Sequence, residues 1–252
     1  MTVTRLDEPT NPTANLTTIS TRRILDLVIA GTSLVLLGPI MMLVALAIWV
    51  ESGRPIFFSQ VRLGQMGRHF RMYKFRKFHK GSGAIDRPVT IRNDYRMTRL
   101  GGFLARAKLD ELPQLWNILK GDMSVVGPRP ESLDLADCFV GFYRRVLDHK
   151  PGIFGPNQVV FRDEALLYPD TVDPQQFYRE VLFPLKANID LTYFPNRTIP
   201  SDIGWIIWGV LAVVGLMPAK KFQAMSAGIR NGSNSPPPRR ESVPESGSKI
   251  QQ

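Results

Sequence analysis

Two adjacent carboxylates, Asp110 and Glu111, begin the stretch of the 252-residue chain that is richest in chemically useful side chains, LDELPQLWNILKGDMSVVGPRPE. Proline is tolerated only in the first turn of a helix, so Pro113 places both acids at or near a helix N-terminus, whose positive end favours ionised carboxylates. Neighbouring helical residues point about 100° apart, so one acid could serve as a nucleophile and the other as a base or metal ligand. Helix capping by acidic residues is the alternative interpretation.

Basic residues in two segments could bind an anion. Arg129 stands between two prolines in GPRPE, and a guanidinium on such a restricted backbone suits bidentate phosphate binding. A rigid surface turn is the alternative. In YKFRK, strand alternation puts Lys74 and Arg76 on the same face as Met72, opposite Lys77. A solvated or lipid-facing basic strip is the alternative there.

Short strands and one long helix are the elements that must position these side chains. IFFSQVRLG and HFRMYKFRKF alternate at the strand period and predict a hairpin that turns at GQMGR. A loop, GSGAIDRPVTIRND, follows. YRMTRLGGFLARAKLDELPQLWNILKG has helical spacing and ends at Gly121, with an apolar face formed by Leu112, Leu115, Trp116 and Leu119. We therefore predict a small α/β, mainly helical domain over residues 55–200.

A long apolar segment, residues 22–54, precedes this domain and contains Gly38-Pro39 near its middle. As one helix, the apolar residues 24–50 would extend about 40 Å, which is enough to cross a hydrocarbon core of about 30 Å. Either half alone reaches only about 16 to 21 Å, so a chain that bends sharply at Pro39 would enter the bilayer and turn back.

Charge favours the re-entrant alternative, because cytoplasmic flanks of membrane segments carry an excess of Lys and Arg. Arg22 and Arg23 precede the segment, and Arg54, Arg62, Arg68 and further basic residues follow it. Both flanks therefore have cytoplasmic character, which a single crossing does not satisfy. A kinked spanning helix is the alternative.

The remaining segments predict a second membrane contact and two tails. The apolar run from Ile203 to Met217 is too short to span comfortably, and Trp205, Trp208 and the Lys220-Lys221 pair predict an interfacial helix over residues 201–222. A buried core helix is the alternative. Residues 1–21 are polar and aperiodic, and residues 223–252 are rich in Ser, Gly and Pro, so both are predicted to be disordered.

Composition limits the kinds of binding partner, disulfide and metal site that the protein can have. The formal charge of +10 indicates an acidic partner: nucleic acid, an anionic membrane surface or a phosphorylated substrate. Nucleic acid is disfavoured because the aromatic residues lie mostly inside apolar runs rather than among the basic residues. Cys138 is the single cysteine, which excludes an intrachain disulfide and suits a reducing compartment. The three histidines lack the spacing of zinc ligands.

These motifs together resemble a known family. RRILDLVIAG, YKFRKF, DYRMTRLGGFLAR, LDELPQLWNILKGDMSVVGPRPE, HKPGIFG and IDLTYFPNRTIPSDI occur in the order found in the bacterial sugar transferases, the monotopic polyprenyl-phosphate phosphoglycosyl transferases. The resemblance covers residues 22–216. It implies transfer of a sugar 1-phosphate from a UDP-sugar to a polyprenyl (undecaprenyl) phosphate, with release of UMP, as the first step of surface polysaccharide or glycan assembly. It also implies a location at the cytosolic face of the bacterial inner membrane, in contact with membrane lipids.

The same resemblance implies roles for individual residues. Asp110 would be the nucleophile that becomes phosphoglycosylated, and Glu111 would associate with a required Mg²⁺. Lys74, Arg129 and Asp190 fall on positions that the family uses at its active site, and Arg76 joins them as a candidate substrate-binding cation. Gly38-Pro39 matches the helix breaker of a re-entrant membrane helix.

Some residues depart from the family pattern. Ala107 and Lys108 stand where Thr or Ser is common, so a helix cap is missing and phosphate contacts could change. KPGIFGPNQVVFRDEALLYP replaces a commoner KPGITGLAQVNGR, which leaves the identity of the sugar open. A non-catalytic scaffold that gathers anionic lipid is the alternative function. The sequence does not distinguish a monomer from a homo-oligomer.

Overall fold

The computed structural model describes residues 12–82, 94–162, 164, 167–169 and 171–216, with side chains from residue 21 onward. Helices dominate these residues and two small sheets accompany them, which confirms the predicted mainly helical class. The predicted tail 223–252 and most of the predicted loop 81–94 lie outside the described residues.

The first element is one long helix, α1, from Pro12 to Ser52, which would extend about 60 Å if straight. It starts ten residues before the predicted boundary at Arg22, at a proline, which suits the first turn of a helix. Helical conformation continues through Gly38 and Pro39. Residues Thr21–Ser52 are long and apolar enough to cross a membrane, and most of their apolar side chains are exposed, which indicates membrane association. Re-entrance at Pro39 remains a prediction.

The N-terminal half of α1 is held to the rest of the protein by polar contacts. Asp26 is buried, and its Oδ1 accepts hydrogen bonds from Ser124 Oγ at 2.9 Å and from the Val125 amide at 2.8 Å. Arg23 donates to the carbonyls of Ile118 and Leu119, at the C-terminal end of a short helix. These bonds satisfy backbone groups that the helix and strand ends leave free.

The C-terminal half of α1 packs against the same domain through apolar contacts. Val44 and Ile48 are buried with Phe75 and Leu104 in one hydrophobic cluster. Ala30, from the other half, belongs to a second cluster. Both halves of α1 therefore lie on one folded unit.

The predicted hairpin is confirmed. Strand β1, Phe57–Leu63, pairs antiparallel with β2, His69–Phe75. The connection is a 3₁₀ turn, Gln65–Gly67, in which Met66 adopts the left-handed conformation. The hairpin places Lys74 opposite Phe58, and the Arg76 amide donates to the Ile56 carbonyl just before β1.

The long helix predicted before Gly121 is three shorter elements. They are α2, Arg99–Arg106, a 3₁₀ turn, Leu109–Glu111, and α3, Gln114–Lys120. The prediction of one helix was wrong because Lys108 takes the left-handed conformation, with φ 56°, and redirects the chain. Gly121 ends α3 in the left-handed conformation, as expected. Asp110 and Glu111 thus lie in the turn that leads into α3.

The predicted apolar face of α3 was also partly wrong, because Trp116 is 55% exposed. Leu115 and Ile118 are buried, and the buried neighbour between them is Asn117. Its Oδ1 accepts from the Tyr73 amide and its Nδ2 donates to the Arg71 carbonyl, so a polar side chain joins α3 to β2. Periodicity assigns apolar residues to a buried face and does not anticipate such an amide bridge.

The rest of the domain is built around a parallel pair of strands, β3, Ser124–Val126, and β4, Gly152–Phe154. Two 3₁₀ segments, Leu133–Cys138 and Gly141–Asp148, lie between them in sequence. The helices that follow are α4, Pro156–Val160; α5, Pro174–Phe177; a π-helical segment, Tyr178–Leu182; α6, Phe183–Tyr193; and, after a 3₁₀ turn, α7, Ile199–Val213.

Helix α7 includes the first part of the segment that was predicted to be an interfacial helix, residues 201–222. Thr198 caps it, and Ile203, Ile207 and Val210 are among its exposed side chains. This exposed apolar face is typical of an interfacial helix rather than a core helix, and the placement at a membrane surface stays a prediction. Residues 217–222 lie outside the described part of the chain.

Candidate active site

A cavity of about 1350 Å³ lies between the hairpin, the Leu109–Glu111 turn, the loop after β3 and the helices α1 and α7. One part of its wall is charged, with Lys74, Asp110, Glu111 and Arg129 among the lining residues. Another part is apolar and comes from the two helices with exposed apolar faces, through Ile29, Leu37, Ile206, Val210 and Val213. The cavity could therefore hold a ligand that has both a charged group and an apolar chain.

The two carboxylates of the turn have different environments. Asp110 is only 2% exposed, and its Oδ2 lies 3.7 Å from Lys77 Nζ. No hydrogen bond to its carboxylate is present among the residues that the structure describes. Glu111 accepts a hydrogen bond from Lys74 Nζ on its Oε1 at 2.8 Å. Glu111 is thus held by a hydrogen-bonded ion pair, whereas Asp110 has a longer ion pair with Lys77 that leaves its oxygens without a hydrogen bond among the described residues.

Positive charge controls the ionisation of Glu111. Burial alone would raise the pKa of its carboxyl, but Lys74, Lys108 and Arg129 outweigh burial and hold the pKa well below its usual range. Burial lowers the pKa of Lys74 to about 8, and Glu111 and Asp110 offset only part of that effect. The pair is therefore an ionised carboxylate beside an ammonium whose pKa is lowered to about 8.

Arg129 lies in the wall with its guanidinium uncommitted. In the described residues it forms neither an ion pair nor a side-chain hydrogen bond, although Glu111, Glu131 and Glu164 are near enough to raise its pKa against the effect of burial. The loop that carries it is fixed by backbone bonds, from the Gly127 amide to the Phe154 carbonyl and from the Gly152 amide to the Pro128 carbonyl, both 2.9 Å. A rigid loop thus presents to the cavity a guanidinium that has no partner among the described residues.

Lys77 is a site residue that strand alternation missed. The alternation was extended past Phe75, where β2 ends, and so assigned Lys77 to the opposite face. The chain instead passes under α2, where the Thr98 amide donates to the Lys77 carbonyl at 3.0 Å. A Cβ on Gly101 would stand 2.0 Å from that carbonyl oxygen. The adjacent glycines in RLGGFLAR were the sequence signal for this close approach.

The glycine pair gives a matched test of this packing. We expect Gly101→Ala to lower the free energy of unfolding by about 1–3 kcal/mol, because the new methyl group collides with backbone. Gly102→Ala should be neutral or stabilising by up to about 1 kcal/mol, since the nearest atom to its Cβ is an Arg106 side-chain nitrogen at 3.9 Å. Thermal unfolding of both variants in one detergent measures the difference. Equal melting temperatures would contradict the close approach.

The structure places two further predicted residues differently: Arg76 lines the cavity that contains Asp110 and Glu111, whereas Asp190 does not. Arg76 Nη2 donates to Ser52 and to the Gly53 carbonyl at the end of α1, while its Nε and Nη1 are buried without a partner among the described residues. Asp190 is 4% exposed and adjoins a small separate cavity with Arg129, Asn157 and Lys186. Burial raises the pKa of Asp190 well above its usual range. Substrate binding by either residue remains a prediction.

Magnesium is the metal that the resemblance implies, and the donor set is compatible with it. No group of three acidic, histidine or cysteine side chains forms a metal site within the described residues. Mg²⁺ commonly uses one or two carboxylates together with substrate phosphates, and does not need a cage made of protein alone. Glu111 Oε2 and the Asp110 carboxylate lack hydrogen-bond partners in that part of the chain. These oxygens fit a Mg²⁺ that is held jointly with a phosphorylated substrate.

The site belongs to a recognisable class: a carboxylate pair and several cations, set in a cavity with an apolar wall, suit a phosphorylated substrate at a membrane surface. The sequence model of the family described as "Bacterial sugar transferase" matches residues 17–215. The chain therefore belongs to the bacterial sugar transferase family.

Individual relatives agree with the family assignment. The chain is 39% identical over 187 residues to an Aeromonas hydrophila UDP-N-acetylgalactosamine-undecaprenyl-phosphate N-acetylgalactosaminephosphotransferase, covering 73% of this chain and 44% of that protein. It is 39% identical over 200 residues to a Xanthomonas campestris pv. campestris UDP-glucose:undecaprenyl-phosphate glucose-1-phosphate transferase, covering 75% and 38%. A Klebsiella pneumoniae protein of the same name is 32% identical over 210 residues, covering 82% and 41%. The chain thus spans about two fifths of the length of these relatives.

Proposed function

We propose that this protein transfers a sugar 1-phosphate from a UDP-sugar to a polyprenyl phosphate, releasing UMP and forming a polyprenyl diphosphate sugar. The observation that carries the proposal is the cavity, which joins an Asp-Glu pair and the cations Lys74, Lys77 and Arg129 to an apolar wall from α1 and α7. The names of the relatives, which include UDP-sugar and undecaprenyl phosphate, support the same substrates. The reaction would begin assembly of a surface polysaccharide or glycan.

The transfer proceeds in two displacements at one phosphorus atom. An Asp110 carboxylate oxygen attacks the phosphorus that bears the sugar, the bond from that phosphorus to the UMP oxygen breaks, and UMP leaves with the electron pair. An oxygen of the polyprenyl phosphate then attacks the same phosphorus, and the bond to Asp110 breaks. Covalent catalysis of this kind divides a difficult transfer into two easier steps and lets one cavity serve both substrates in turn.

The cations neutralise the negative charge that increases on the phosphoryl oxygens during the transfer. Arg129 offers a planar set of donors to the phosphoryl oxygens, and Lys77 lies beside the attacking carboxylate. Lys74 holds Glu111 ionised and in place. Glu111 and Asp110 would hold Mg²⁺ with the substrate, where the ion supplies charge neutralisation at the diphosphate.

The pKa of Lys74 predicts an alkaline limit to activity. Because the ammonium loses its proton as the pH rises through about 8, the positive charge beside Glu111 disappears above that pH. We expect kcat/KM for the UDP-sugar to fall above about pH 8, approaching about tenfold per pH unit. Lys74→Arg, whose side chain stays charged, should move this limit upward by at least about one unit. Identical pH profiles for the two proteins would remove Lys74 from the account.

We also place the protein at the cytosolic face of the inner membrane, with α1 as a re-entrant element. Support comes from the contacts of both halves of α1 with one folded unit and from basic residues at both ends. In a Cys138→Ser background, cysteines at positions 12 and 59 should both resist a membrane-impermeant maleimide in intact spheroplasts and react after lysis. Labelling of only one before lysis would establish a span instead.

The function itself is tested by UMP release. Purified protein, Mg²⁺, undecaprenyl phosphate and a panel of UDP-sugars should yield UMP and a polyprenyl diphosphate sugar with at least one donor. If no donor yields UMP while the protein still binds anionic vesicles, the lipid-gathering scaffold suggested by the charge of +10 is the better description.

A further inference from the structure

A second group of polar side chains lines the same cavity near Arg129. Lys186 Nζ donates to Glu164 Oε2 at 2.6 Å and to the Tyr178 hydroxyl at 3.3 Å. The Tyr178 hydroxyl donates to Glu131 Oε1 at 2.6 Å. These four residues, which we name the polar cluster, are Glu131, Glu164, Tyr178 and Lys186, and all of them line the cavity. None has a part in the two displacement steps.

The polar cluster has hydrogen-bonding capacity that the protein leaves unused. Lys186 has three N–H donors, and two are engaged with the residues named above. Glu131 lines the cavity too, and its Oε2 has no hydrogen-bond partner among the described residues. A ligand that accepts from Lys186 and donates to Glu131 would use this capacity.

The available groups both donate and accept. Lys186 has a donor to spare, and Glu131 Oε2 can accept. A hydroxyl group can do both at once, whereas a phosphate only accepts. The two carboxylates of the polar cluster disfavour a second anion. The chemistry therefore matches a neutral ligand that is rich in hydroxyl groups.

Arg129 joins the polar cluster to the carboxylate pair. It lines the large cavity together with Asp110 and Glu111, and it lines a small second cavity together with Glu131 and Lys186. A diphosphate bound at Arg129 with one phosphorus beside Asp110 would therefore have an adjoining group within reach of the polar cluster. That phosphorus carries the sugar, so the sugar is the group nearest to it.

A local irregularity of the chain helps to build this region. Tyr178 begins the π-helical segment between α5 and α6, and Lys186 lies one turn into α6. Such π segments within helices often occur at functional sites. Glu164 comes from FRDEALLYP, where the sequence departs from the pattern of the family.

We infer that Glu164 and Lys186 recognise hydroxyl groups of the transferred sugar, so that the preferred donor is a UDP-linked neutral hexose with free hydroxyls. The inference rests on the proposed transferase function and adds the substrate class. A site built to bond a hydroxyl rejects an analogue that lacks it, because its own buried groups are then left unpaired, and the discrimination can reach about 10⁴-fold.

The experiment compares UDP-glucose and UDP-galactose with their monodeoxy analogues. Wild-type protein should use at least one analogue about 10²-fold less well, as kcat/KM, than its parent. Glu164→Gln and Lys186→Met should reduce that ratio to about tenfold or less, while inhibition by UMP stays unchanged. Asp137→Asn, which removes an ion pair with Arg179 outside the cavity, is the control and should keep the wild-type ratio.

The outcomes separate this inference from the proposed function. If wild-type protein releases UMP but Glu164→Gln lowers kcat/KM equally for every donor, the polar cluster is structural and the inference fails. Weaker UMP inhibition in that variant would assign the polar cluster to the uridine instead. Should either charge variant unfold, Tyr168→Phe, which removes only the hydroxyl bonded to Glu164 Oε1, takes its place. Absence of UMP release from wild type overturns the proposed function.

Discussion

Replacement of Asp110 by asparagine is expected to lower UMP release by at least about 10³-fold. The amide cannot form the bond to phosphorus that the two-step transfer requires, yet it has nearly the same shape and occupies the same position. Because the Asp110 carboxylate forms no hydrogen bond within the described part of the chain, its loss should disturb folding little. Steady-state UMP release by protein purified in detergent measures the effect.

The control for this variant is Glu180→Gln, which neutralises an exposed carboxylate on the π-helical segment. We expect it to retain wild-type activity. If Asp110→Asn releases UMP at a comparable rate to Glu180→Gln, the nucleophile is a different group and the proposed mechanism is wrong.

Replacement of Arg129 by lysine is expected to lower kcat/KM by about 10²-fold, although the charge is retained. Lysine is a point charge on a flexible stem and lacks the planar fork that bonds two phosphoryl oxygens together. Arg129→Met, which also removes the charge, should cost about 10³-fold or more. The affinity for UDP should also decrease, more in Arg129→Met than in Arg129→Lys.

An exposed arginine supplies the comparison. Arg144→Lys changes the same chemical group at the surface of the 3₁₀ segment Gly141–Asp148 and should be neutral. If lysine at position 129 supports full activity, bidentate phosphate binding is not the role of this side chain. The loop between the two prolines would then serve only as a rigid turn.

Local sequence signals predicted an element well where the side chains alternate regularly or where one glycine or proline controls the backbone. The hairpin followed from strand alternation, the end of α3 from Gly121, and the position of the acid pair before a helix from Pro113. Lys74 was predicted to lie on a strand and does so in β2, but its ion pair with Glu111 was not predicted.

The parts that escaped prediction depend on contacts between distant segments. Lys77 reaches Asp110 because α2 packs on its backbone, and no pattern within YKFRKF contains that contact. The left-handed Lys108 breaks a helix that periodicity supports, because side-chain periodicity carries no information on the backbone angles of one residue. The polar cluster joins Glu131 to Tyr178, 47 residues away. Such pairings come from tertiary packing, which a local pattern does not encode.

The most direct test of the account is the mass of the enzyme after the first displacement. Incubation with a UDP-sugar and Mg²⁺, without polyprenyl phosphate, followed by acid quench and intact-protein mass spectrometry, should reveal an increase equal to one sugar phosphate. Peptide mapping should locate it on Asp110, and the adduct should disappear when polyprenyl phosphate is added. Product formation at the normal rate with no adduct at any time, or an adduct on another residue, would contradict a covalent intermediate at Asp110.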